Sequence, residues 1–171
     1  MVWARTKLVL HDNCFREEPG KLVIKYVGPN PGKIYKKLYE LMKTIFKVKD
    51  SDIQETKYNW GVGEKQKFDV GFFLHKDLDK FSFIVLEVKL RGAGNEKGGE
   101  ATIELDPYLR TEYPQETVWE RSLFYEMLRT FWHKVFYRDT REKYLEECRH
   151  LVTFLQEKLR EFLNQLREGH E

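Results

Sequence analysis

Between residues 53 and 113, apolar side chains return at every second position. The runs are Tyr58, Trp60, Val62; Phe68, Val70, Phe72, Leu74; Ile84, Leu86, Val88, Leu90; and Ala101, Ile103, Leu105. A period of two puts alternate side chains on opposite faces of an extended chain, so each run is a strand with one buried face. The runs are separated by GVGE, HKDLDK and GAGNEKGG, turn-like stretches too short for a crossover, so neighbouring strands must be antiparallel. The result is a four-stranded meander whose apolar side has to be covered by something else in the chain.

The cover is helical. In GPNPGKIYKKLYELMKTIFKV, Asn30 can cap a helix and Pro31 suits its first position, while Ile34, Leu38, Leu41 and Ile45 recur at helical spacing, which predicts a helix over 31–47. Upstream, VWARTKLVL (2–10) and KLVIKYV (21–27) are short β-rich runs around the turn Glu18-Pro19-Gly20; they can pair as a hairpin and join the sheet. After Pro114 the chain reads as helical to its end, with one break near Tyr137 to Thr140; Thr117 with Glu120 and Asp139 with Glu142 match capping boxes for the two pieces. The predicted class is therefore α+β: an antiparallel sheet of about five to six strands packed against helices, with two long C-terminal helices. We expect a single domain over 1–171, comprising N-terminal strands (1–30), a helix (31–47), the meander (53–113) and a helical part (115–168).

The two C-terminal helices differ in kind. In the first, Leu123, Phe124, Met127, Leu128, Phe131, Trp132, Val135 and Phe136 spread over about half the circumference, as burial against a sheet requires. In the second, Leu145, Cys148, Val152, Leu155, Leu159, Phe162 and Leu166 alternate spacings of three and four, a narrow heptad seam. A helix from 140 to 168 would be about 43 Å long, against roughly 29 Å for six strands side by side, so its end should overhang. Leu155, Leu159, Phe162 and Leu166 are thus candidates for a homodimer seam; the plain alternative packs the seam on the chain's own preceding helix.

Composition narrows the setting. Hydrophobic residues make up 41% and aromatics 15%, which excludes disorder, and no apolar run approaches the ~20 residues of a membrane span, so no membrane partner is expected. No signal-like opening is present, and Cys14 and Cys148 stand singly, which reads as a cytoplasmic chain with reduced thiols. Charged residues at 34%, rich in Lys, Glu and Arg, fit a thermophilic source. Residues 1–50 carry eleven Lys/Arg against five Asp/Glu, or +6, while 51–114 carry nine against twelve and 115–171 ten against eleven, so an anionic partner should meet the N-terminal third.

FIVLEVKLRG (83–92), with Asp69 upstream in KFDVGFF, resembles the PD-(D/E)xK nuclease family at three residues only, a resemblance that implies Asp69, Glu87 and Lys89 holding Mg²⁺ and a water, with Lys89 polarising a phosphate. That family's Pro before the Asp is Phe68 here, and a glycine loop and another strand stand where its helix should follow. Strand parity alone also puts Glu87, Lys89 and Arg91 on one wet face, with Asp69 able to make a cross-strand ion pair. RGAGNEKGG leads into a strand and so reads as a hairpin loop, not a phosphate cradle. The five histidines show no metal-ligand spacing, and neither a metal nor a cofactor is expected. Lys33, Lys36, Lys37, Lys43 and Lys47, interleaved with Tyr35 and Tyr39, could track a phosphate backbone, or could simply be a solvated face.

The order of elements, strands, a helix, an antiparallel meander and a long C-terminal helix, resembles the helix-grip fold of the START and Bet v 1-like (SRPBCC) superfamily. The likeness spans roughly residues 20 to 140, and KGGEATIELDPYLRTEYP leading into a helix is its most suggestive part. It implies a curved sheet gripping the helix at 117–137, and a small apolar ligand in a cavity lined by Phe72, Ile84, Leu86, Ile103, Phe124 and Trp132. The second long helix and the extra N-terminal strand depart from the family pattern. The function to expect is a non-enzymatic binding or interaction protein, self-associating, that takes an apolar ligand or a macromolecular partner. Two alternatives stand beside it: a dimerising factor bound to the ribosome or RNA through the basic N-terminal third, and an Mg²⁺-dependent nuclease.

Overall fold

The computed structural model describes residues 9–16, 20–113, 117, 119–120 and 122–169. Its elements are β1 (Val9–Asn13), β2 (Leu22–Gly28), α1 (Lys33–Phe46), β3 (Ile53–Gly61), β4 (Gln66–Asp77), β5 (Ser82–Gly94), β6 (Gly99–Glu112), α2 (Leu123–Trp132) and α3 (Arg138–Glu168). The class is α+β: one six-stranded antiparallel sheet with helices. Of the expected features, strand residues 2–8, turn residues Glu18 and Pro19, and Pro114 lie outside the described residues.

The four strands of the meander form, β3 to β6 pairing in sequence order, but the first run is not a buried face: Tyr58 is 55% exposed and Val62, past the end of β3, 94%. Phe68, Val70, Phe72 and Leu74 of β4, Ile84, Leu86, Val88 and Leu90 of β5, and Ala101, Ile103, Leu105 and Leu109 of β6 are buried on its inner face. The N-terminal strands do not pair with each other. Both run antiparallel to β6, with β1 on Tyr108–Glu112 and β2 on Gly99–Leu105, so they form two halves of one interrupted edge. Pro107 sits at the interruption. Cys14 N donates to the Pro107 carbonyl at 3.1 Å, but proline has no N–H to return the bond. The Cys14 carbonyl accepts instead from Arg149 Nε of α3 at 3.2 Å.

Helix α1 buries Ile34, Leu38, Met42, Ile45 and Phe46 and closes on Lys47 in a left-handed conformation. Asn30 does not act as its N-cap. Gly32 holds that position, and Asn30, itself left-handed, offers its carbonyl to Lys33 N at 3.0 Å.

The largest departure from expectation concerns the C-terminal helices. The sheet grips α3, not the 117–137 segment: Leu145, Cys148, Val152, Leu155, Leu159 and Leu163 are buried in one cluster with α1 and the sheet's inner face. A regular three-four seam makes a straight stripe that fits the trough between α1 and the strands. Nor does the end of α3 hang free through Leu166, since Phe162 and Leu166 pack partly buried against the cluster and Arg167 donates to the Val27 carbonyl at 3.3 Å. The expected break at Tyr137 to Thr140 is absent too. The chain stays helical from Leu123 to Glu168, with a π-helical segment at His133–Tyr137 between α2 and α3.

Cys14 and Cys148 are joined in a disulfide, contrary to the reduced-thiol expectation; β1 carries Cys14 onto α3 across a sequence separation of 134 that spacing alone gave no reason to bridge. Such bonds belong to oxidising compartments and also to the interiors of hyperthermophiles. Among the described residues no helix is long and apolar enough to cross a membrane.

Candidate functional site

The sheet separates the three nuclease candidates. Asp69 lies opposite Arg91, Glu87 opposite Phe73 and Lys89 opposite Gly71. Lys57 Nζ donates to Asp69 at 2.5 Å and Arg91 Nε reaches its other oxygen at 3.4 Å. The Lys57 hydrogen bond, helped by Arg91 and working against desolvation, holds the Asp69 carboxyl below its ordinary range. Glu87 accepts from the Tyr108 hydroxyl at 3.2 Å, and among the described residues no group of three His, Cys, Asp or Glu side chains could hold a metal ion. These are cross-strand pairs on the outer face of a sheet. The close strands of the hairpin account for Gly94 and Gly99, because a Cβ on Gly99 would lie 2.4 Å from the Cα of Gly94; Gly98 faces open space.

The proposed cavity lining is not one surface. Phe72, Ile84, Leu86 and Ile103 are packed with α3 in the core, whereas Phe124 and Trp132 are exposed on α2. The proposed dimer seam is inward-facing, Leu155 and Leu159 being fully buried. Of the lysine stripe, Lys33, Lys36 and Lys47 are exposed, while Lys37 pairs with Glu40 and Lys43 with Asp50 at 2.7 Å. Beside the start of α1 is a cleft of about 320 Å³, lined by Lys33 and Lys36 but equally by Glu64 and Glu96.

What the structure does assemble is an inside-out helix. Ser122 Oγ caps α2 by accepting from Tyr125 N at 3.2 Å. From there Leu123, Phe124, Met127, Leu128, Phe131, Trp132, Val135 and Phe136 all point outward, each 48–64% exposed, with Trp119 beside them at 57%. The side toward the body carries Arg129, only 4% exposed, with Glu126 and His133 partly covered. The Arg129 guanidinium carbon stacks 5.5 Å from the Tyr113 ring centroid and 5.9 Å from that of Tyr125. Its Nη2 pairs with Glu126, while Nε and Nη1 are buried with no hydrogen-bond partner among the described residues. His133 Nδ1 shares a hydrogen bond of 2.8 Å with the Tyr113 hydroxyl, and burial, reinforced by Arg141, lowers its pKa.

A polar anchor holds this arrangement. The Tyr137 hydroxyl donates to Asp79 Oδ2 at 2.7 Å and lies 2.7 Å from Ser82 Oγ, which is 2.7 Å from Thr111 Oγ1. Tyr144 also donates to Asp79 Oδ2, at 3.0 Å, and the Phe81 and Ser82 amides donate to Oδ1, both at 2.8 Å. Arg141 donates to Thr111 Oγ1 at 2.9 Å and pairs with Asp12. Burial alone would raise the Asp79 pKa; the hydrogen bonds outweigh it and hold the carboxyl below its ordinary range.

The π-helical segment explains why α2 faces the wrong way. Its wider turn sets the helix before it about a quarter turn out of register with the helix after it. The direction in which α3 buries Leu145 and Cys148 thereby falls, along α2, on Arg129 and His133. The signal was present in the sequence. On one uninterrupted helical register, the stripe of Leu123 to Phe136 and the stripe of Leu145 to Leu163 do not share a centre. No protein-family model matches the chain, and no curated protein matches it significantly.

Proposed function

We propose that the chain is a non-enzymatic interaction protein of the helix-grip type that holds out α2 to be covered by an apolar protein surface. The single observation carrying this is the reversal of α2, with Arg129 beneath and eight large apolar side chains outside. Nine side chains at about half exposure, Trp119 included, come to roughly 800–1,000 Å² of apolar surface, more than the ~300–600 Å² of the largest patch on a typical monomer. The grip itself is occupied by the chain's own α3, which argues against a small apolar ligand between sheet and helix.

Changing Phe124, Met127 and Phe131 together to serine tests the reading. Side chains that serve only an outer surface can be lost with a change of less than about 1 kcal/mol in the unfolding free energy of dilute protein. A variant that fails to fold would put these three in the chain's own core and end the proposal.

A further inference from the structure

We infer that the surface covering α2 is α2 of a second copy of this chain, related by a two-fold axis. This rests on the interaction reading above and names its partner. A standard stable interface removes about 800 Å² from each partner, and the face formed by Trp119, α2 and the π-helical segment offers roughly that much. Its makeup suits a permanent pair: aromatic residues and Met are enriched at interface cores and charges are depleted. Between Leu123 and Phe136, Lys134 is the one exposed charged residue.

That near-neutrality separates a copy of the chain from a lipid surface. A helix lying on an anionic membrane carries Lys and Arg along its polar side, but here that side is turned into the body and its arginine, Arg129, is buried. A face of this size also needs cover as soon as the chain folds, and a second copy is the partner always present in equal amount. In a two-fold pairing each face meets itself, so no complementary shape has to be found elsewhere. The seam of α3 is closed to this role because Leu145, Leu155, Leu159 and Leu163 are already buried in the chain's own core.

Sedimentation velocity at about 10 µM is the test. The wild type should run at twice its 20.7 kDa mass. Phe131→Glu should run as a monomer with an unchanged circular dichroism spectrum, its dissociation constant raised at least ~30-fold as for a central interface residue. Met127→Lys serves as the second variant if Phe131→Glu does not fold. A monomeric wild type overturns the inference, as does a dimer that survives both charged variants. Flotation of a monomeric chain with neutral or anionic phospholipid vesicles would also overturn it, assigning the face to a membrane. A monomeric wild type whose serine variant still folds leaves the interaction reading standing with another protein as occupant; a serine variant that cannot fold removes that reading itself.

Discussion

The guanidinium carbon of Arg129 lies 5.5 Å from the ring centroid of Tyr113, under a helix whose Phe131, two positions on, is 59% exposed. The cation faces the body of the protein and the phenyl ring faces water. The contact ties α2 to the end of β6, and Arg129→Ala would remove both the stacking and the packed stem of the side chain. We expect a loss of about 1–2 kcal/mol. Amide exchange should quicken over 123–132 while the amides of β4 to β6 keep their protection; uniform acceleration would mean that Arg129 supports the whole fold.

Tyr137 is the centre of the polar anchor, and Tyr137→Phe leaves Asp79 and Ser82 each short of a partner in a buried setting. A cost of roughly 1–3 kcal/mol in urea unfolding follows.

Asp79 and His133 set the acid response. The folded pKa of Asp79 lies below its ordinary 3.8, so its contribution is complete above that pH and is lost as pH falls through the lower folded value. The folded pKa of His133 lies below its ordinary 6.5, so the unfolded chain takes up the proton first and stability declines as pH drops below 6.5. Stability against urea should therefore fall in two stages on acidification. Asp79→Asn should shrink the second stage, to which Asp69 and Asp50 also contribute, and leave the first; a one-stage profile in the wild type would contradict the assignment.

The Cys14–Cys148 bond closes a loop across a separation of 134 residues, for which chain entropy gives a stabilisation of about 3–5 kcal/mol. Cys148→Ala, or prolonged reduction, should lower the melting temperature, and a melt insensitive to reductant in both proteins would refute this.

Leu155 and Phe131 make a contrasting pair. Leu155→Ala should cost about 2–5 kcal/mol, because it opens a cavity among α1, α3 and the sheet. In dilute protein Phe131→Ala should cost under about 1 kcal/mol. For the outer face, neither Mg²⁺ nor Mn²⁺ should shift the melting temperature, and Lys89→Ala should be neutral, since Asp69 is already held by Lys57 and Arg91.

The meander was legible because alternation is local: Phe68 to Leu74 and Ile84 to Leu90 each declare which side is dry, and a one-residue slip would expose them all. In α1, Ile34, Leu38 and Ile45 were legible for the same reason at helical period, whereas Met42 and Phe46 were not singled out and Leu41 is only partly buried. The pairing of β1 and β2 was not, because both run along β6 and the gap between them depends on Pro107, some ninety residues away in sequence. Sequence also misassigned the gripped helix. A half-circumference apolar stripe such as Leu123 to Phe136 states that it must be buried, but not by what.

By itself, then, the amino-acid sequence determined periodicity, and with it the strands, the helices, the α+β class and the wet and dry faces of the sheet. Tertiary structure decided which apolar stripe the sheet holds, the bonding of Cys14 to Cys148, and the assembly of Asp79, Ser82, Thr111 and Tyr137 into one anchor. Only there does the π-helical turn at His133–Tyr137 acquire a meaning. It rotates α2 by about a quarter turn, so that Arg129 is sheltered and the aromatic face is left outside. Periods are set by bonds between near neighbours, whereas the choice of partner depends on contacts among residues far apart in sequence.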